Sequence, residues 1–436
     1  MRLFLPFALC LGSALGASAT SSSELDAWLQ RTQAARSNEL RSPASAPTAR
    51  ELQAGLGENE LILVFGPSST SQLAVAALRR DATLGPLPLD YAVERLERDV
   101  ERLHSLLRSG SRPARGQLLR LTDALGDSLL GPVSELLRGA EAVRLLTTPP
   151  LDELPFAALR LPRSVDEQRE HWVTRAQLCH LVTLMAPSSA RRAPRTVLGG
   201  ADPEFRRSEL PLGASMSDAG VSWRRSAARR LEIEALGENF PTTLRLLGTE
   251  LTAQALREAG AVDLLHLAAD VEQGGDFERA ALALSSGDPG APPKRLRLRD
   301  AREWSESEDG LAVITGLSRT RSELSAGQEN ARNFLTSPQG PEQRLHSATH
   351  LAATLHGAGF SQVLTTLWRV PDESAPAFFR TFYEGLSNGR SAGAALRRAQ
   401  RRMIESPVDA GGSGGPRIDA REPLFWAGFR LYSNCR

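Results

Sequence analysis

The feature that most constrains the fold is an uninterrupted apolar run in the second half of the chain. Residues Val262–Asp270 read Val-Asp-Leu-Leu-His-Leu-Ala-Ala-Asp, with glycines on both sides. A strand that is covered on both faces needs no alternation of polar and apolar residues, so this run predicts a central strand of a largely parallel sheet. A second run, Leu311–Ser318, predicts its neighbour. Because ligands bind outside the carboxyl ends of such strands, Asp270, Leu317 and Ser318 are candidates for a functional site.

The rest of the chain alternates strand-like and helix-like segments. Strands at Leu61–Phe65 and Gln72–Leu78 and an amphipathic helix at Asp90–Arg108 predict a hairpin-and-helix layer at the N-terminal end. Strands and helices then alternate as far as a last strand at Phe425–Tyr432. This order predicts an α/β fold with a mostly parallel sheet flanked by helices.

The N-terminus has the pattern of a secretory signal. Met1-Arg2 precedes an apolar run too short to span a bilayer, and Ala17-Ser-Ala19 supplies the small residues of a cleavage site. We therefore expect residues 1–19 to be a signal peptide, 20–50 a short helix and linker, and 51–436 one domain that is secreted or periplasmic. An uncleaved anchor and a lipoprotein are the alternatives, although Leu9 stands where a lipoprotein needs a small residue before Cys10.

Removal of the signal would leave two cysteines, Cys179 and Cys435. An oxidising compartment permits a disulfide between them, but their spacing does not decide whether they pair. Cys179 lies in a strand-like run and also suits a small buried hydrophobic residue.

The charge balance gives no reason to expect a nucleic-acid partner. The chain has 52 Lys and Arg residues against 51 Asp and Glu residues. Arginine pairs such as Arg229-Arg230 have acidic residues near them and are interpreted as a solvated face. No later segment is apolar for long enough to cross a membrane, and no glycine-rich phosphate loop follows a strand. We expect a protein or peptide partner and no cofactor, no nucleic acid and no membrane contact after signal removal.

Six short motifs resemble the CHAT domain family in their order and spacing. They are Leu154-Pro-Phe-Ala-Ala-Leu159, Leu198-Gly-Gly-Ala-Asp-Pro-Glu-Phe205, His266-Leu-Ala-Ala-Asp270, Thr366-Leu-Trp-Arg-Val370, Ala394-Ala-Leu-Arg-Arg-Ala-Gln400 and Pro423-Leu-Phe-Trp-Ala-Gly-Phe429. That family consists of caspase-like domains related to cysteine peptidases of the caspase–separase type. The resemblance covers about residues 51–434 and implies a caspase-like α/β fold.

The resemblance also implies where a catalytic pair would lie. Active members end the first central strand with His-Leu-Ala-Thr-His-Gly and carry the nucleophilic cysteine at the end of the second. His266 matches the first, structural histidine, whereas Asp270 stands at the catalytic histidine and Leu317 at the cysteine. A thiolate nucleophile needs an imidazole beside it, so these residues predict a pseudopeptidase that acts as a binding or regulatory module. Without catalytic work, Asp270 is expected to pair with Arg319 or Arg321.

The segment Trp368–Asp372, at the end of a third strand-like run, resembles the segment that lines the substrate groove in the family. Trp368–Asp372 keeps its Trp and Asp but changes the order of Pro and Arg. The resemblance therefore implies a residual cleft of His266, Ser318, Trp368 and Asp372. A purely structural role also suits Trp368.

Two alternatives would retain a hydrolase. Ser318 would be a replacement nucleophile with His266 as its base, although His266 lies about 13 Å upstream along an extended strand. His346, His350 and His356 copy the spacing of an elongated zinc-protease motif, but a serine replaces the general-base glutamate of that motif. We expect no metal site here, and the prediction leans away from an enzyme.

Overall fold

A computed structural model describes most of the chain. It covers residues 22–40, 46–68, 72–109, 112–184, 194–205, 215–218, 221–224, 226–272, 281–303, 310–317, 348–368, 370–371, 374–405 and 419–435. The predicted signal peptide at 1–19 lies outside these residues, as do Ser318, Arg319, Arg321, His346 and Asp372. Within the described part of the chain, every helix is too short or too polar to cross a bilayer.

Helices and strands alternate along most of the described chain. The α-helices are α1 (Ser22–Leu40), α2 (Ala49–Ala54), α3 (Val93–Ser109), α4 (Arg112–Leu130), α5 (Ser134–Leu137), α6 (Trp172–Arg175), α7 (Ala227–Asn239), α8 (Ala253–Glu258), α9 (Ala348–Gly357), α10 (Ala375–Ser387) and α11 (Ala392–Glu405). The strands are β1 (Glu60–Pro67), β2 (Gln72–Leu78), β3 (Thr83–Ala92), β4 (Ala142–Leu146), β5 (Gln177–Leu181), β6 (Val197–Ala201), β7 (Ser215–Asp218), β8 (Val221–Arg224), β9 (Leu244–Leu247), β10 (Leu264–Glu272), β11 (Ala281–Leu284), β12 (Lys294–Arg297), β13 (Leu311–Leu317), β14 (Gln362–Thr366) and β15 (Phe429–Tyr432).

One mixed sheet of 13 strands dominates the described residues. Its order is β12-β11-β10-β13-β14-β15-β5-β4-β1-β2-β3, with β6 beside β10 and β9 beside β6. β6, β10, β13 and β14 run parallel to one another, and β1, β4, β5 and β15 form a second parallel group. β14 and β15 pair antiparallel, so the carboxyl ends of the two groups lie at opposite edges of the sheet. The predicted α/β class with a mostly parallel sheet flanked by helices is confirmed.

The central strand β10 is buried on both faces, as its apolar sequence predicts. Leu264 joins the larger apolar core, on the face that also buries Leu311 and Val313 of β13. Leu265 and Leu267 join a second core on the opposite face. Alternate side chains of one strand point to opposite faces, so a strand that serves two cores must be apolar at every position.

One of the strands that sequence reasoning missed is β3. Its two prolines, Pro86 and Pro88, cannot donate to a ladder, which is typical of an edge strand, and β3 lies at the end of the sheet beside β2. Gly85 has a φ of 95°, and a Cβ there would lie 2.4 Å from the carbonyl oxygen of Val75. Only glycine fits this close approach of the two strands. The predicted hairpin of β1 and β2 is present and joins the main sheet through β4.

The packed body begins upstream of Glu51. Leu25, Trp28 and Leu29 of α1 are buried in an apolar cluster with residues of β1 and β2. Thr48 caps α2, since its side chain accepts from the backbone N–H of Glu51 while the Glu51 carboxylate accepts from the N–H of Thr48. The segment predicted to be a helix and linker therefore contributes a helix to the core.

Cys179 and Cys435 form a disulfide with a Cα–Cα distance of 5.5 Å. The bond joins β5 to the end of the chain, just after β15, and spans 256 residues of sequence. Both residues are buried. Helix α11 packs directly over the bond, because a Cβ at Gly393 would lie 3.0 Å from the Cys179 sulfur. The structure thus answers the question that the cysteine spacing left open.

Candidate functional site

The structure brings the two predicted strand ends together. Asp270 of β10 lies opposite Gly316 of β13, and Val271 lies opposite Leu317. The pairing register shifts between Leu267 and Asp270, which marks a bulge just before the aspartate. β10 continues to Glu272, so Asp270 lies inside the strand and not beyond its end.

Asp270 is buried in an ion pair with Arg229. The Arg229 Nη2 atom lies 2.5 Å from Asp270 Oδ1, and the two side chains are 5% and 4% exposed. The predicted partners Arg319 and Arg321 lie outside the described residues, and the partner that the structure shows is on α7. The interpretation of Arg229-Arg230 as a solvated face is therefore wrong for Arg229, which turns inward because a buried carboxylate needs a counter-charge.

A second ion pair and a glycine hold α7 against the sheet. Arg230 pairs with the buried Asp202, which follows β6, at an N–O distance of 3.1 Å. A Cβ at Gly199 of β6 would lie 2.7 Å from the Ile233 side chain, so glycine lets the helix approach the strand closely. The Gly-Gly-Ala-Asp motif thus holds α7 against the sheet. This position of α7 brings Arg229 close to Asp270 of β10.

A second polar cluster, next to this pair in sequence, is built around His266. Its Nδ1 lies 2.6 Å from the Tyr383 hydroxyl, and its Nε2 lies 3.3 Å from Glu232 Oε2, without the geometry of a hydrogen bond. Thr315 of β13 donates to the same Glu232 oxygen at 3.1 Å. His266 is fully buried, and its ring packs 4.7 Å from that of Phe379.

The protonation state of Tyr383 bears on its hydrogen bond with His266. Burial, assisted by the nearby Glu232 charge, raises the pKa of Tyr383 well above its ordinary value, so the phenol keeps its proton. Glu232 lies beside Nε2 of His266, and with the ring proton on Nε2 the Tyr383 hydroxyl donates to Nδ1. His266 is thus enclosed in the protein interior by Tyr383, Glu232 and Phe379. Its assignment as the structural histidine of the family stays a prediction.

The remaining predicted site residues have other neighbours. Trp368 is buried, donates from its indole N–H to the carbonyl oxygen of Leu424 at 2.9 Å, and packs edge-on against His104. None of these contacts joins it to His266. Its environment fits the structural alternative. Ser318 and Asp372 lie outside the described residues, and of Leu317 the structure describes the backbone.

The helix with histidines at zinc-protease spacing is packed into the body. His350 is 5% exposed, and the Nδ1 of His356 lies 2.7 Å from the carbonyl oxygen of Phe360. Burial lowers the pKa of His356. Within the described ranges, no group of three His, Cys, Asp or Glu side chains is arranged to hold a metal ion. His346, the first residue of the motif, lies outside these ranges.

Comparisons with known proteins identify one family. Residues 119–434 match the family model described as the CHAT domain. Among solved structures, the separase–securin complex of Saccharomyces cerevisiae is similar to 88% of this chain, with 10% identity and a TM-score of 0.48. The Arg-specific cysteine proteinase gingipain R is similar to 78%, with 8% identity and a TM-score of 0.34. This chain spans 30% of the separase chain and 74% of the gingipain chain. No curated protein matches the sequence.

Proposed function

The chain belongs to the CHAT domain family, and from this premise we propose that it is a peptidase-like domain that has lost peptidase activity and binds a protein or peptide. The observation that carries the proposal is the buried pair of Asp270 and Arg229 at the position where active members hold the catalytic histidine. A carboxylate already neutralised by a guanidinium can neither activate a thiol nor protonate a leaving amine.

The neighbouring strand supports the same conclusion. Leu317, aligned with the catalytic cysteine of active members, pairs in register with Val271, one residue after Asp270. Its hydrocarbon side chain has no lone pair to attack a carbonyl carbon. Because the two strands are neighbours in the sheet, the loss affects both halves of one site.

The alternative, a hydrolase with a nucleophile foreign to the family, has less support. Ser318 would need a base, and the nitrogens of His266 face Tyr383 and Glu232. A metal-dependent mechanism would need the histidines of α9, of which His350 is buried and His356 lies against the carbonyl oxygen of Phe360. The binding function is therefore the better supported of the two.

We place the protein outside the cytoplasm. The Cys179–Cys435 bond supports an oxidising compartment, in which structural disulfides persist. The signal-like pattern at residues 1–19 supports the same location. In such a compartment, a domain that binds without cleaving would serve as a regulatory or scaffolding module for secreted or periplasmic proteins.

The first experiment compares the wild type with a variant in which the catalytic pair is restored. Asp270→His alone would place an imidazole against the buried guanidinium, so the variant combines Asp270→His and Leu317→Cys with Arg229→Gln. Both proteins are incubated with a pooled peptide library, and cleavage and retention on the protein are read by mass spectrometry. The control is Arg380→Gln, which breaks an exposed ion pair with Glu238.

We expect the wild type and the control to retain peptides without cutting them, and the restored variant to cut and to react with a thiol alkylator. Cleavage by the wild type would refute the loss of activity. A pool in which no peptide is retained by the wild type would refute peptide binding.

The compartment is tested by counting thiols. Protein recovered from outside the cytoplasm is alkylated with and without prior reduction, and its N-terminus is sequenced. Because both cysteines are buried, alkylation is carried out in denaturant. We expect a start near Thr20, no alkylated cysteine without reductant and two after reduction. Alkylation of Cys179 or Cys435 without reductant would contradict an oxidising compartment.

A further inference from the structure

The contacts between helix α1 and the rest of the protein are similar to those between a recognition site and a bound peptide. We propose that the edge formed by the carboxyl ends of β1, β4 and β5 is a recognition site for an arginine-bearing helix, and that α1 is the occupant of this site in the chain. This edge is opposite to the one that carries Asp270 and Leu317, so the inference is independent of the proposed function.

Three polar contacts of α1 reach the carboxyl ends of β1 and β5. The indole N–H of Trp28 donates to the carbonyl oxygen of Pro67, the last residue of β1, at 3.0 Å. The side-chain oxygen of Gln33 accepts from the N–H of Leu184, three residues after β5, at 2.9 Å. The Nε of Arg36 donates to the carbonyl oxygen of Val182 at 3.3 Å. Ligands of α/β sheets bind beyond such carboxyl ends.

The deepest contact is an ion pair between Arg36 and Asp152. Both Nη atoms of Arg36 contact the carboxylate, one of them at 3.3 Å, and the two side chains are 0% and 3% exposed. Asp152 is positioned independently of α1. Thr147 donates to its Oδ1 at 2.5 Å, and Arg430 of β15 donates to its backbone carbonyl at 2.5 Å. The carboxylate of Asp152 is therefore already oriented, and a guanidinium binds such a group in bidentate geometry.

The apolar part of the site allows α1 to pack closely against β1 and β2. Leu25, Trp28 and Leu29 are buried against β1 and β2. A Cβ at Gly66 of β1 would lie 2.3 Å from the Thr32 hydroxyl oxygen. The helix thus lies on the strand backbone where glycine leaves room for it.

The interface between α1 and the body buries polar atoms that make no hydrogen bond within the described part of the chain. Three buried polar atoms of α1 have no hydrogen-bond partner among the described residues, namely Thr32 Oγ1, Gln33 Nε2 and Ser37 Oγ. Each such atom is less favourable when buried than when hydrated, because its hydrogen bonds to water are lost without replacement. When the whole helix leaves, water reaches these atoms and Asp152 together. That relief favours reversible docking. Residues 41–48 join α1 to α2 covalently, and the N–H of Ala49 donates to Asp26 of α1 at 2.7 Å.

The test uses the full mature chain with a specific protease site in place of residues 41–45. After cleavage, exchange of the resident helix for a labelled peptide of residues 22–40 is followed by fluorescence anisotropy. The Arg36→Ala peptide is compared with the native one, and the Arg31→Ala peptide is the matched control, because Arg31 is exposed on the same helix. A second protein variant, Gly66→Ala, blocks the seat of Thr32 without removing a charge.

We expect the cleaved protein to remain folded and to take up the native and Arg31→Ala peptides with equal affinity. The Arg36→Ala peptide should bind at least tenfold more weakly, as should the native peptide to the Gly66→Ala protein. Loss of the cooperative melting transition on cleavage would show that α1 is an inseparable part of the core and would overturn the proposal. Absence of exchange, or equal binding of the Arg36→Ala and native peptides, would overturn it as well.

Discussion

Replacing Arg229 with methionine should destabilise the protein strongly, because the buried Asp270 carboxylate would lose the guanidinium that it contacts. The side chains are 5% and 4% exposed, and the N–O distance is 2.5 Å, so neither water nor salt screens the pair. Removing one partner of a buried ion pair costs about 3–5 kcal/mol. The free energy of unfolding from urea titration followed by circular dichroism would show this loss directly, provided that the slope of the transition is unchanged.

The remaining variants of a double-mutant cycle separate the ion pair from simple packing. Asp270→Leu together with Arg229→Met removes both charges, and we expect this variant to recover most of the lost stability. Arg380→Met is the exposed control, since Arg380 and Glu238 are 60% and 55% exposed, and its effect should stay below about 1 kcal/mol. If Arg229→Met costs no more than this control, Asp270 is not held by a buried ion pair and the reasoning fails.

Three further predictions concern other buried groups. Burial raises the pKa of Glu153 to about 7 from 4.5, so the folded state keeps a proton that the unfolded state loses, and stability should fall as pH rises between these values. Glu153→Gln should therefore stabilise the protein by about 1–3 kcal/mol at pH 8 and change little at pH 4, as measured by urea titration at both values. Replacing Cys179 and Cys435 by alanine should lower the free energy of unfolding by about 3–5 kcal/mol. A reductant should then no longer change the melting temperature. Tyr383→Phe should lower the free energy of unfolding by about 1–3 kcal/mol, because it leaves Nδ1 of His266 buried without a donor. An unchanged unfolding midpoint would exclude the hydrogen bond described between Tyr383 and His266.

Local patterns account for what was predicted well. The central strands β10 and β13 were recognised because a strand between two cores is apolar at every position, a property visible in a single stretch of sequence. The neighbouring positions of Asp270 and Leu317 follow from the same strands, since adjacent parallel strands end at the same edge. The family resemblance added an expected role for each of these positions, and the structure shows that His266 is fully buried.

Partners that are distant in sequence could not be predicted in this way. The sequence by itself determined the α/β class, the central strands and the absence of a cysteine–histidine pair at their ends, because these depend on residue identity and local periodicity. Only the tertiary structure decided that Arg229 of α7 pairs with Asp270, that Cys179 bonds Cys435, and that Arg36 of α1 is buried against Asp152. The physical reason is that a buried charge or thiol is satisfied by whichever group the packing of strands and helices brings within about 3 Å, and sequence spacing carries no record of that distance.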